Sequence, residues 1–225
     1  MIKNWQLTAY LLSPLAGDPP RLDAVLMREL AQRMGMSTSK ITRDTPLSEV
    51  MFPPIPLVFD DIDGRRIYHC SDPILPTPRQ EWVDYHAKRL ESDKAALLLR
   101  EDQRKKLLVA SGPYKMRRAP ARIRLVNVVV YFVRGDRKEI NKLTKKIRFL
   151  GKHTNIGYGM VERWEFFETE EDLSIYAVRT GKRVLMKTLP AGECLRDVCG
   201  YRLSYGAASP PYWHPENYSK IGVPA

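Results

Sequence analysis

What the 225-residue sequence lacks narrows it first. No apolar run approaches the ~18 residues that cross a bilayer. Met1-Ile2-Lys3-Asn4-Trp5 opens no basic-then-apolar succession, so neither a membrane partner nor a signal peptide is expected. Cysteine is scarce. Cys70, Cys194 and Cys199 make no disulfide framework, which fits a reducing cytoplasm. Cys194 and Cys199, with His214 beyond, lack a fourth zinc ligand; buried free thiols and no metal are expected. There is no strand–loop–helix ending in Gly-Lys-Ser/Thr and no dinucleotide fingerprint, so no ATP, NAD or other cofactor is expected. An aromatic RNP-type octamer is also missing, which counts against a stand-alone RNA-binding protein of that type. No internal repeat is visible.

Positive charge is abundant and concentrated. The net charge is +11, yet residues 88–152 alone hold 20 Lys/Arg against 6 Asp/Glu, and the remainder holds 17 against 20. An excess confined to the middle of the chain is the electrostatic footprint of a polyanion. The competing reading is a solvated basic face that aids solubility.

Hydrophobic spacing predicts an α+β fold. Trp5, Leu7, Ala9 and Leu11 alternate with Asn4, Gln6, Thr8 and Tyr10, as in a half-buried strand. Asp18-Pro19-Pro20 reads as a helix start with Asp18 as N-cap. Leu22, Val25, Leu26, Leu30 and Met34 form its stripe, and Gly35 stops it. Prolines break residues 36–80, where short strands are expected at 57–59 and 66–68 around a turn at 61–64. Residues 80–92 and 94–108 read as helices. A strand is expected over 122–134, then a helix capped by Asp136 with Glu139 as in a capping box. Ile140, Leu143, Ile147 and Leu150 line its apolar face and Gly151 ends it. A strand then begins at Val161, and one or two more lie near 174–178 and 184–187. The order strand, helix, insertion, strand, helix, loop, strand fits a ferredoxin-like (RRM-type) split βαβ sheet, with one strand hidden in the insertion. The proline- and tyrosine-rich tail with Tyr212, Trp213 and Tyr218 either docks a neighbour or packs back on its own sheet.

Residues 151–159, Gly-Lys-His-Thr-Asn-Ile-Gly-Tyr-Gly, follow a helix and precede a strand. Gly151, Gly157 and Gly159 lack a Cβ, so a phosphodiester can come close to their N–H groups. Lys152 adds charge, Asn155 an amide, and Tyr158 a stacking face. Lys138, Lys142, Lys145, Lys146 and Arg148 crowd the preceding helix. Lys115, Arg117, Arg118, Arg122 and Arg124 interleave with Tyr114 and Met116, a pattern that suits single-stranded nucleic acid. His153 is a candidate phosphate contact; a general acid or base of a ribonuclease is the alternative. A plain connecting turn is the bland reading of the loop.

The string KKIRFLGKHTNIGYGMVERWEF resembles the glycine-rich loop of the RAMP superfamily of CRISPR RNA-binding proteins. With SGPYKMRRAPARIRLVNVVVYFV before it, residues 111–168 resemble the Cas-five-type subunit of type IV effector complexes. That resemblance implies a ferredoxin-like RAMP core over 1–170, with an inserted basic thumb within about 36–121, and a C-terminal extension over 171–225 packed on the core. It implies a non-catalytic ribonucleoprotein subunit of antiviral defense that binds the 5′ end of the CRISPR RNA (crRNA). Its implied partners are a large subunit, a repeated backbone subunit and target DNA. By the same likeness Gly151, Lys152, Asn155, Gly157 and Gly159 belong to the loop that meets RNA. Some Cas-five-type relatives in other CRISPR types cut their guide precursor, so a metal-independent endoribonuclease is the alternative function.

Overall fold

The computed structural model describes residues 1–36, 43–50, 53–88 and 117–225. In chain order these form β1 (Ile2–Leu11), β2 (Leu15–Ala16), α1 (Leu22–Arg33), β3 (Phe59–Ile62), β4 (Arg65–Tyr68), β5 (Gln80–Lys88), β6 (Arg117–Leu125), β7 (Val128–Asp136), α2 (Arg137–Thr144) and β8 (Val161–Glu168). There follow β9 (Tyr176–Arg179), β10 (Lys182–Leu185), β11 (Leu189–Pro190), β12 (Val198–Cys199), β13 (Tyr201–Ala207) and β14 (Tyr218–Pro224). The fold is α+β, mostly strand, with two α-helices among the described residues.

β1 is the centre of the main sheet, antiparallel to β7 on one side and β8 on the other, with Leu7 opposite both Tyr131 and Phe166. The predicted alternation explains the layering. Trp5, Leu7, Ala9, Val129, Tyr131 and Val133 are buried on one face, against Leu22, Val25 and Leu26 of α1 and Ile140 and Leu143 of α2. β7, α2 and β8 make a split βαβ unit with β1 between its two strands. Beyond β7, residues 69–74 run alongside as isolated bridges: Ser71 N–H donates to Phe132 O at 2.8 Å, and Ile74 and Val130 exchange two 2.9 Å bonds. Pro73 has no N–H to give, which keeps this edge from becoming a full ladder. The main sheet thus has three full strands, with these bridges along its β7 edge where a further strand was expected within the insertion.

Several expectations need correction. Asp18 does not cap α1; Arg21 holds that position without a side-chain cap, and Asp18 pairs with Arg124 at 2.9 Å. Residues 80–88 form β5, not a helix, because β6 pairs with them along their length; residues 94–108 lie outside the described residues. The single strand expected over 122–134 is two strands in different sheets, broken at Val126-Asn127. Asp136 caps α2 as expected, accepting from the Lys138 and Glu139 N–H groups, but Glu139 turns to Lys142 instead of closing a capping box. The helix ends at Thr144, well before Gly151, although Ile147 and Leu150 still reach the core. The short hairpin is shifted, pairing Phe59 with Tyr68 and Ile62 with Arg65. Six strands, more than expected, follow residue 170.

Those six form the sheets β12-β10-β9 and β11-β14-β13 over a second core containing Ile175, Leu185, Leu189, Leu195 and Ile221, with Ile67 of β4. The tail therefore packs back as β14, although Trp213 stays 42% exposed. Two polar clusters tie this region to the main sheet. The buried Lys187 ammonium donates to Asp23 of α1 at 3.0 Å and to Cys70 O at 3.1 Å, and the Tyr212 hydroxyl donates to Asp23 at 2.6 Å. His69 meets Asp172 and Asp60 through its two ring nitrogens, each at 3.0 Å. All three cysteines are free. Cys70 is buried and its thiol pushed up to about 12 by that burial, whereas Cys194 is half-buried and Cys199 exposed, against expectation. No helix among the described residues is long and apolar enough to cross a membrane.

Candidate nucleic-acid interface

β5 and β6 pair from Gln80↔Leu125 to Lys88↔Arg117, and β2 extends the sheet on the far side of β6. Strand alternation gives this sheet two chemically different faces. Ala119, Ala121 and Ile123 share one with Trp82, Asp84 and His86; Arg118, Arg122 and Arg124 share the other with Glu81, Val83 and Tyr85.

The glycine-rich loop sits on the first face. Tyr158 packs against the cluster of Ala16, Ala121 and Ile123, and its hydroxyl donates to Asp84 at 3.0 Å. That bond holds the Asp84 carboxyl below its usual range, while burial, with Asp84 behind it, raises the Tyr158 phenol. The His153 and His86 rings lie 4.0 Å apart. The stacking face expected of Tyr158 is thus turned to the protein's own sheet.

The loop backbone is tied down at its root. Gly159 N–H donates to Pro14 O and Lys152 N–H to Ala16 O, both at 2.8 Å, while the Ser13 hydroxyl donates to Gly157 O at 2.7 Å. A one-turn 3-10 helix, Thr154–Ile156, uses the N–H groups of Ile156 and Gly157. The three glycines then separate. A Cβ on Gly159 would lie 1.8 Å from Leu150 O and one on Gly151 2.7 Å from Ala16 O, so packing accounts for both. A Cβ on Gly157 would meet nothing within 4 Å, so Gly157 alone faces open space. Lys152 and Asn155 are exposed beside it.

The basic residues do not form one continuous track. Arg118 places its guanidinium 4.3 Å from the Tyr85 ring centroid, and Arg122 is exposed but paired with Glu81. Arg124 is 9% exposed and committed to Asp18 and Gly17 O, a structural role. These arginines lie on the sheet face opposite the loop. Lys142, Lys145, Lys146 and Arg148 are exposed on α2 and the turn after it, with Lys142 bonded to Glu139 at 2.6 Å. Lys115 lies outside the described residues; of Arg117 only the backbone, at the start of β6, is described. Sequence reasoning missed Asp84, Tyr85 and His86 because it placed them on a helix. Exposure over residues 81–86 alternates with period two in the folded strand, but Trp82 and Val83 stand side by side in the sequence, so no clean alternation marks it there.

No curated protein matches the chain. Residues 69–224, more than half of it, match the family model of CRISPR type IV associated protein Csf3. The matched stretch contains β5, β6, α2 and the whole loop. The chain therefore belongs to the family of the CRISPR type IV associated protein Csf3.

Proposed function

We propose that the chain is a non-catalytic, cytoplasmic crRNA-binding subunit of a type IV CRISPR surveillance complex. It holds the 5′ end of the guide and contacts a large subunit, a repeated backbone subunit and target DNA. The observation that carries this reading is the group of exposed cations, Lys145, Lys146, Arg148 and Lys152, beside a loop that leaves Gly157 open. With the Gly157 N–H already donated to Thr154 O, the open glycine gives a phosphodiester room to approach and the point charges supply the attraction. The order β7-β1-β8, with residues 69–74 beyond β7 and both helices on one face, supports a ferredoxin-like RAMP core. The test is RNA affinity against salt. Each lost phosphate contact lowers the slope of log K by about 0.7 for a single strand. Lys146→Ala/Lys152→Ala and Arg118→Ala/Arg122→Ala should each flatten it by up to about 1.4. Unchanged slopes in both would remove these residues from the interface.

The second reading, a metal-independent endoribonuclease, is favoured by the convergence of His153, His86, Tyr158 and Asp84. Under the binding reading, His153→Ala and His86→Ala leave precursor RNA uncut, as wild type does. Under the nuclease reading, wild type cuts at one site without metal and each variant slows cleavage by roughly 10²–10⁴-fold. Incubating a repeat-containing RNA with purified protein in chelator separates the two.

A further inference from the structure

A cleft of ≈ 560 Å³ opens where the glycine-rich loop leaves and rejoins the fold. Its position follows from the backbone. Phe149 and Met160 bridge across the neck of the loop, Leu150 N–H donates to Gly159 O at 2.8 Å, and Val161 N–H to Arg148 O at 2.8 Å. The turn after α2 forms one wall and the start of β8 the other. Lys145 and Arg148 stand on the first wall and Arg163 on the second, with Phe149, Met160 and Trp164 between them.

The β8 wall is fixed in place. Trp164 donates its indole N–H to Ile147 O at 3.2 Å, and its ring lies nearly parallel to that of Tyr131, with centroids 6.4 Å apart. Arg163 is held by Glu162 at 2.5 Å and Glu165 at 2.8 Å, with its guanidinium 3.8 Å from the Tyr10 ring centroid. Lys145 and Arg148 are exposed and have no such commitment to a carboxylate among the described residues. The cleft therefore combines Phe149, Met160 and Trp164 with two uncommitted cations, and its one lining carboxylate, Glu162, is held by Arg163. Its volume is in the range of small-ligand sites.

That combination fits one chemical unit, a nucleobase joined to a phosphate. An unstacked base gains by burying its faces against Phe149, Met160 and Trp164, while its phosphate reaches Lys145 and Arg148. The cleft adjoins the neck of the loop that carries Lys152 and Asn155. We infer that the cleft between α2 and β8 receives one extruded nucleotide of the bound single strand, unstacked from its neighbours. This rests on the RNA-binding reading and adds a base-burying site to it.

The test uses the full chain with single-stranded RNA in which 4-thiouridine is placed at successive positions, irradiated and mapped by mass spectrometry. One position should crosslink to Phe149, Met160 or Trp164. Met160→Glu, a change at a 36% exposed side chain, should abolish that crosslink and weaken binding about tenfold, within the range of one stacked base. Met160→Leu should keep both. Lys145→Ala/Arg148→Ala should lower the salt slope by up to about 1.4. Salt-dependent binding with every crosslink outside the cleft, and no effect of Met160→Glu, would overturn the inference and leave RNA binding standing. Absence of any salt-dependent binding would overturn both. Micromolar binding of a free mononucleotide in the cleft, with no crosslink from the strand, would overturn the strand as its occupant.

Discussion

Gly157 and Gly159 both have left-handed backbones, with φ of 95° and 66°, but the surroundings of an added side chain differ. Gly157→Ala should cost about 1–2 kcal/mol, the strain of that conformation in an L-residue. Gly159→Ala adds an overlap with the Leu150 carbonyl and should cost on the order of 3–5 kcal/mol. Urea unfolding midpoints of the two variants check this; equal losses would mean that the Leu150 contact is not constraining. Under the proposed RNA-binding reading, Gly157→Ala probes the surface offered to a phosphate, whereas Gly159→Ala probes the fold. The presence of the loop was legible from its glycines. Which glycine is packed was not, because Pro14, Ala16 and Leu150 reach the loop through tertiary hydrogen bonds that local sequence does not encode.

At the scale of elements, β1, α1 and α2 were readable because each pairs a simple period with a single buried face, and β7 was readable as a strand from its apolar, β-branched run. The exception was β5. Ala87 and the apolar run at 95–99 give the stretch a helical composition, and only cross-strand pairing to β6 decides its state. The break at Val126-Asn127 was hidden for a related reason: an unbroken apolar string is indifferent to which sheet each half joins. This error mattered for the site. With one long strand, the arginines and the loop fall on one continuous surface; with two, Arg118 and Arg122 turn away from Tyr158 and His153. The salt-slope variants of the two groups should therefore be additive, since distant independent contacts add. A combined variant that flattens the slope no further than either pair alone would place them on a shared contact.

Across the whole molecule, the His69 cluster joins β3, the bridged segment at residues 69–74, β7 and residues 172–174, with Arg134 3.6 Å from Asp172. Burial opposes the His69 charge, but the hydrogen bonds to Asp172 and Asp60 outweigh it and raise the imidazole above its ordinary value. Burial also opposes the Asp172 charge, yet His69 and Ser174 lower that carboxyl to about 2. A raised histidine stabilises fully below its unfolded value of about 6.5 and stops doing so as pH rises through the folded value. A lowered aspartate stabilises above about 3.9 and stops as pH falls toward 2. The cluster should thus contribute most between about pH 4 and 6.5. His69→Gln should lower the unfolding temperature more at pH 5.5 than at pH 8.5; a pH-independent difference would deny the imidazolium its role. The same long-range wiring has a consequence during synthesis. β1 leaves the ribosome well before its neighbours β7 and β8, which begin at Val128 and Val161, and Asp23 finds its ammonium only at Lys187. At roughly 5–20 residues per second, the nascent central strand waits on the order of ten seconds for a partner. A chain stalled before residue 187 carries an unmatched carboxylate where its core should close, so partial copies should be less stable than the full chain.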